Sequence, residues 1–535
     1  MANIVKQPCD EGVIRARRAT APCDRSAAPW VLAATILGSS MAFIDGTVVN
    51  VALSALQEDL RATVVDVQWV VESYALLLAA LLLAGGSLGD IFGRRLIFCV
   101  GVGLFALASV WCGLAPDVKQ LIAARAAQGV GGALLVPGSL AIISASFDEA
   151  RRGRAIGTWS GFTAITTALG PVLGGWLIDH VSWRAVFFIN VPIACAVLLI
   201  SFWRVPESRA EEDRAALDWV GTILVTLGLG GMVYGLIESS RLGFDHWSVV
   251  AALAGGAVLL ALFLVTEARA SHPMLPLKLF RSTDFSGANL LTLLLYTALS
   301  GALFFLPLNL IQVQGYSATA AGAATLPFVL IMFFLSRWSG GLVERYGAKL
   351  PLMIGPLIAA FGFALFAAPG VGGSYWVTFF PPMVVLGIGM AVSVAPLTTT
   401  VMGSVSESRA GVASGINNAV SRTAGLLGIA CFGILMLHIF NSAASRRLLA
   451  LDLPPEARRA LDENRASLAG AEMPPGLSPE TQSALEQVLA DSFVLGFRLC
   501  MVVAAALALL SALSAAFMIR GKAAARYAAQ VGAPP

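Results

Sequence analysis

Gly86-Ser87-Leu88-Gly89-Asp90-Ile91-Phe92-Gly93-Arg94-Arg95 is a short charged knot between two long apolar runs. Its glycines permit a tight turn and close helix approach. Asp90, Arg94 and Arg95 cannot sit unpaired in hydrocarbon, so the knot is expected at a membrane surface. A related stretch returns at Gly340-Gly341-Leu342-Val343-Glu344-Arg345-Tyr346-Gly347-Ala348-Lys349. Two such turns in one apolar chain point to two related halves, an organisation typical of transporters.

The surrounding composition agrees. Of 535 residues, 57% are hydrophobic and 13% charged, far from the roughly 25% charge of a soluble domain. Apolar runs of about 20 residues, each able to cross a ~30 Å hydrocarbon core, recur along the chain. Fourteen spans are expected, the first at 30–53, the thirteenth at 411–440 and the last at 492–519. The net charge of +3 and the lack of a basic stripe give no reason to expect a nucleic-acid partner. Seven scattered cysteines have no metal-ligand or disulfide spacing. The N-terminal tail carries Lys6, Arg15, Arg17, Arg18 and Arg25, with no separate apolar core before Trp30. It therefore reads as a retained tail and not as a cleaved signal.

An even number of spans puts both termini on one side. One set of connecting segments and tails holds 22 of the 35 Lys and Arg residues, whereas the opposite short loops hold only Arg61, Lys119, Arg184 and Arg241. Positive charge marks the cytoplasmic side. Both termini and both knots are expected there, in a multi-pass protein of the inner (cytoplasmic) membrane.

A second repeat fixes the halves. Glu149-Ala150-Arg151-Arg152-Gly153-Arg154-Ala155-Ile156-Gly157 opens the fifth span and Glu407-Ser408-Arg409-Ala410-Gly411-Val412-Ala413-Ser414-Gly415 the thirteenth. Both read Glu-x-Arg-x-Gly-x-Ala-x-Gly. Asp90 and Glu344 are 254 positions apart, Glu149 and Glu407 258. The near-equal offsets predict a six-span unit used twice, giving an all-α polytopic fold of two six-helix bundles plus two inserted helices. The expected layout is a cytoplasmic tail at 1–29 and a first bundle at 30–203. A linker with helices 7 and 8 follows at 204–283. A second bundle at 284–519 contains a folded or partly helical extracytoplasmic loop at 441–491, and a cytoplasmic tail ends the chain at 520–535.

These residues closely resemble the major facilitator superfamily and, within it, the fourteen-helix drug:proton antiporters of the multidrug efflux type. The resemblance runs from about Trp30 to Arg520. The knot matches Gly-x-Leu-x-Asp-x-x-Gly-Arg-Arg at Gly86, Leu88, Asp90, Gly93, Arg94 and Arg95. The fourth span matches Arg-x-x-Gln-Gly-x-Gly at Arg125, Gln128, Gly129 and Gly131. The fifth carries the antiporter signature at Gly157, Gly170-Pro171 and Gly174-Gly175, departing from it at Thr166. Asp45-Gly46-Thr47-Val48-Val49-Asn50-Val51-Ala52-Leu53 resembles the fourteen-helix signature, departing at Ser54. The resemblance implies export of small, amphipathic compounds and a site between two rocking bundles, driven by the proton gradient without a cofactor. An adaptor spanning a second membrane is compatible with the subfamily, but no residue pattern identifies one. A monomer is expected, since each half can supply the other's packing surface.

Three residues are candidates for proton coupling. Asp45 lies in an otherwise apolar span, roughly 12 Å from its outer end, with Arg125 roughly 9 Å and Glu72 about 5–8 Å into theirs. Burial disfavours the charged form of an acid, and a nearby arginine favours it. A movable acid–arginine arrangement can thus gain and lose a proton. Glu72 is close enough to the interface to be read equally as a solvated interfacial residue. Gly170, Pro171, Gly174 and Gly175 are expected to bend the fifth helix and let it pack closely, as a hinge. Asp90, Arg94, Arg95, Glu344 and Arg345 are candidates for a cytoplasmic gate, and the arginines double as topology signals. Arg422, about three turns into its span, is a candidate cavity residue. Trp69, Trp183 and Trp247 read as interface anchors.

Two other functions compete with efflux. A uniporter or exporter of one metabolite would not need Asp45 or the Gly170-Pro171 signature. An intramembrane enzyme is disfavoured. Gly85-Gly86-Ser87-Leu88-Gly89 formally fits Gly-x-Ser-x-Gly but lacks a strand-to-helix turn. The four histidines have no zinc-protease spacing, and no phosphate-binding loop is present.

Overall fold

Thr63 and Asp66 form a reciprocal capping box at the start of the second span, Thr63 N donating to Asp66 Oδ2 at 2.8 Å and Asp66 N to Thr63 Oγ1 at 3.2 Å. Asp117, Asp218, Ser282 and Ser478 cap later helices. Polar residues at the ends of apolar runs thus fix where the helices begin. The computed structural model describes residues 27–147, 149–209, 218–270, 273, 275–405, 410–449, 454, 465–470 and 477–520. The tails at 1–26 and 521–535, most of 450–476 and the Glu344 side chain lie outside the described residues.

Among the described residues there is no strand, and fourteen helices are long and apolar enough to cross a membrane. They are α1 Ala28–Leu60, α2 Val64–Phe92, α3 Arg94–Leu114, α4 Val118–Ser146, α5 Glu149–His180, α6 Ala185–Arg204 and α7 Trp219–Leu242. The remainder are α8 Trp247–Arg269, α9 Thr283–Val313, α10 Ala318–Leu335, α11 Lys349–Phe366, α12 Tyr375–Gly403, α13 Ala410–Leu448 and α14 Pro479–Met518.

The packing repeats. In the first half α4 packs on α2 and α3, and α1 on α5 and α6. In the second, α12 packs on α10 and α11, and α9 on α13 and α14. Moving eight helices along the chain reproduces each contact, so α1–α6 and α9–α14 are two copies of one bundle. The halves meet at two equivalent seams, α5 against α10 and α2 against α13. The inserted pair packs on itself, and α7 also touches α2 and α13. Helices 7 and 8 therefore flank one seam and leave the other uncovered by them.

The knots correspond in conformation as well as in sequence. Gly93 between α2 and α3 has φ +123°, and Gly347 before α11 has φ +79°. Both are 254 positions apart, like Asp90 and Glu344. Glycine tolerates positive φ without a Cβ clash, which explains why these positions keep it. Both turns lie on one face of the molecule, the knot face, opposite the far face.

Within 441–491, read as a folded or partly helical loop, α13 continues to Leu448 and α14 starts at Pro479. At 1.5 Å per residue these helices reach roughly 55–60 Å, well beyond a ~30 Å core. Their extensions are joined by Arg447 Nη1 and Asp491 Oδ2 at 3.7 Å. Trp183 is buried and donates from Nε1 to Asp59 Oδ2 at 2.9 Å, so it braces a loop instead of facing lipid. Trp69 is half-buried and donates to Glu238 on α7, whereas Trp247 is exposed as an anchor would be.

Candidate functional site

Asp45 on α1 and Arg125 on α4 form an ion pair inside the first bundle, each side chain 1% exposed. Arg125 Nη1 donates to Asp45 Oδ2 and, at 2.6 Å, to Gln128 Oε1. Its Nε donates to the Val70 carbonyl at 3.0 Å, and its guanidinium carbon lies 4.2 Å from the centroid of the Tyr74 ring. The other oxygen, Asp45 Oδ1, accepts from Gln128 Nε2 at 2.7 Å and Asn190 Nδ2 at 3.4 Å. Ser109 Oγ accepts from the same two amides at 2.9 and 3.2 Å.

Local sequence explains this convergence. Arg125 and Gln128 are three residues apart and share one face of α4. Asn190 sits where α6 breaks, between Ala185–Phe188 and Asn190–Arg204. Pro192 has no N–H to offer the Phe188 carbonyl, so the helix is interrupted there. The carboxylate therefore accepts from donors on two helices, α4 and α6, whose amides Ser109 of α3 holds in place. A buried ion pair is costly unless its remaining lone pairs and protons are satisfied, and here both Asp45 oxygens and Arg125 Nε and Nη1 are bonded.

Glu72 does not join the cluster. Val70 and Tyr74 turn one flank of α2 toward Arg125. Gln68, one turn before Glu72, instead donates from Nε2 to the Ile429 carbonyl of α13 at 2.8 Å. Glu72 is fully buried, so the solvated interfacial reading does not describe it. At about 100° per residue it falls between Gln68 and Trp69, opposite the arginine.

The knot pairs within its own half. Arg94 Nε donates to Asp90 Oδ1 at 2.9 Å. Glu207, in the segment after α6, lies 3.6 Å from Arg95 Nε and accepts from the backbone N–H groups of Arg95 and Leu96 at 3.0 and 3.2 Å. It thereby caps the N-terminus of α3, where negative charge is favoured. Arg345, in the second knot, is exposed and lies over the Tyr346 ring. These contacts of Asp90, Arg94 and Arg95 brace the first bundle. Nothing in the sequence around Glu207 marked it, since it lies outside every span.

Among the described residues, hydrogen bonds join the halves on the far face. Asp179 at the end of α5 accepts from the N–H groups of Ala318 and Thr319 at 3.0 and 2.9 Å, and from Thr319 Oγ1 at 2.5 Å. A carboxylate of one half thus caps α10 of the other. Gln312 Nε2 donates to Gln57 Oε1 at 2.8 Å, and Gln68 to Ile429 as above. Gly170 and Gly174 pack against Thr47 and Val48 of α1, whereas Gly175 packs against the Ala318 backbone of α10. Helix α5 continues through Pro171. Arg422 is half-buried on α13, its Nε 3.3 Å from Asn418 Oδ1, and lies two turns from Ile429 on the side facing α2. We expect Asp179→Ala to weaken the α5–α10 cap by about 1 kcal/mol, and efflux of a fluorescent substrate to fall several-fold at equal membrane abundance. Unchanged efflux would show that the cap does not matter to the cycle.

This arrangement is matched by a family. Residues 35–429 fit the model of the Major Facilitator Superfamily. The chain belongs to the Major Facilitator Superfamily. This member is 34% identical to the tetracenomycin C resistance and export protein of Streptomyces glaucescens, over 91% of both chains. It is 35% identical to the multidrug resistance protein Stp of Mycobacterium tuberculosis, over 81% of this chain and 80% of that one. Among solved structures it resembles a bacterial homolog of the human lysosomal transporter Spinster, with a TM-score of 0.64 at 16% identity, covering 92% and 97% of the two chains. That likeness concerns the fold. The superfamily member's relatives are transporters of the drug-resistance and export kind.

Proposed function

We propose that this transporter exports drug-like, amphipathic compounds in exchange for protons by alternating access. The observation that carries the reading is the Asp45–Arg125 ion pair, buried in a bundle whose relatives are resistance and export proteins. Substrate binds between the two bundles, and the bundles rock about it. The charge count supports placing the knot face in the cytoplasm. The far-face bonds between α5 and α10 and between α2 and α13 then describe a molecule shut toward the outside. A proton arriving at Asp45 from outside neutralises the carboxylate and releases Arg125 to its other partners. Deprotonation toward the cytoplasm restores the pair. Gly170, Pro171, Gly174 and Gly175 accommodate the motion of α5, and Arg422 faces the central space. Glu344 and the knot residues act at the cytoplasmic side.

Everted membrane vesicles test this reading. Their lumen is acidified, and a compound panel that includes an aromatic polyketide antibiotic is added while lumenal pH and compound uptake are followed. The expected result is uptake coupled to proton release from the lumen. Uptake without proton movement would make the protein a uniporter and overturn the proposed coupling.

A further inference from the structure

Both oxygens of Glu72 are buried and have no hydrogen-bond partner among the described residues, and the same holds for Gln68 Oε1 one turn away. Three acceptors thus converge where α2 meets α13 and α7. Gln68 touches α13 through the Ile429 carbonyl, and Trp69 touches α7 through Glu238 Oε1 at 2.9 Å. We propose that Glu72 is a second protonation site, separate from the Asp45–Arg125 pair, and that a proton bound there closes the far-face seam between α2 and α13. The inference rests on the proton-driven cycle for its role in transport, but not for its test.

The argument is one of donors and charges. An ionised carboxylate buried without a partner is strongly penalised. Adding a proton converts one oxygen from acceptor to donor, and the nearby Gln68 Oε1 is an acceptor in want of one. Among the described residues, no cation of a neighbouring helix is bonded to Glu72. On α7, Glu238 is itself acidic, and its Oε2 is held by Arg241 at 2.6 Å. On α13, Arg422 lies about 10 Å along the helix from Ile429, past the level of Glu72 toward the knot face, with its Nε turned to Asn418. On α4, Arg125 faces the other flank of α2 and is paired with Asp45 of α1. The seam therefore closes on the neutral acid. When the seam parts, the O–H bond breaks, the proton passes to water on the far face, and water hydrates the carboxylate left behind.

The test reads the seam directly. Spin labels at Glu58 and Ser442, both exposed at far-face helix ends, report the separation of the halves in nanodiscs between pH 5 and 9, on a background without native cysteines. In the unmodified seam the open-to-closed ratio is expected to rise with pH, at most about tenfold per pH unit for one proton. Glu72→Gln should stay closed across the range, and Glu72→Asp should restore the pH response. A Glu72→Gln protein that opens with pH as the parent does would overturn the proposal, as would a parent whose seam ignores pH. If vesicles show no proton exchange but the seam responds through Glu72, only the coupling reading fails. If exchange persists through Asp45 and the Glu72→Gln seam still titrates, only this inference fails.

Discussion

Arg125→Ala should abolish proton-linked efflux and destabilise the folded protein by about 3–5 kcal/mol, the cost of leaving a buried charge without its partner. The truncation removes more than a charge. It strips Asp45 of its cation, the Val70 carbonyl of a donor and the Tyr74 ring of a stacked guanidinium, and it opens a void in a site 1% exposed. Asp45→Asn should be milder for stability, because Arg125 keeps Val70, Gln128 and Tyr74. Transport should not be spared, since an amide in place of the acid cannot carry the proton. The informative comparison is the double variant Asp45→Asn with Arg125→Met. Removing both charges relieves the unpaired carboxylate, so its melting temperature should recover part of the loss seen in Arg125→Ala, while substrate-linked proton release stays at background. Residues in contact are expected to couple in this non-additive way. Additive losses in melting temperature, or coupled transport in Asp45→Asn, would remove the pair from the proton path.

The residues of that pair were legible in the sequence, and their contact was not. Asp45 and Arg125 stand out because a charge within an apolar span needs a reason. They are 80 positions apart on different helices, so only packing brings them together. The duplication was legible for a different reason. The knots and the Glu-x-Arg-x-Gly-x-Ala-x-Gly stretches recur at nearly one offset, and equal offsets survive whatever the helices do in space. Gly93 and Gly347 then share the positive φ that this correspondence implies.

What escaped reading follows a pattern. Glu207 and Asp179 act at the ends of helices distant in sequence, capping α3 and α10, and a capping acid has no periodicity to betray it. Glu72 had the right depth but an unknown azimuth, because the flank of α2 that meets α4 is set by tertiary packing. The lengths of the extensions of α13 and α14 carried no signal, because hydropathy reports the solvent of a segment, not its backbone. Arg446, Arg447 and Asp491 are polar because that part of the helix projects beyond the apolar core.

Gly175→Ala and Gly322→Ala should each hold the far face open and strongly reduce efflux. A methyl on Gly175 would meet the Ala318 carbonyl, and one on Gly322 would meet the Pro171 carbonyl. The obstacles are backbone atoms on both sides of the α5–α10 seam, so no side chain can rotate away and the helices must separate. Overpacking of this kind costs typically about 1–3 kcal/mol, and every 1.4 kcal/mol shifts the closed-to-open ratio about tenfold. Because the strain is felt in the closed state and relieved when α10 moves off, the variants should fold and insert but populate a different conformation. Gly174→Ala is the control, since its methyl would press on the Val48 side chain of α1 inside the same bundle. It burdens both conformations alike and should change the ratio little. Spin labels at Val181 and Ala320, exposed at the two helix ends, should record a longer separation in Gly175→Ala and Gly322→Ala than in the parent or Gly174→Ala. If all three variants give the parent separation while efflux is lost, the glycines work as the hinge of α5 and not as the contact surface of the seam.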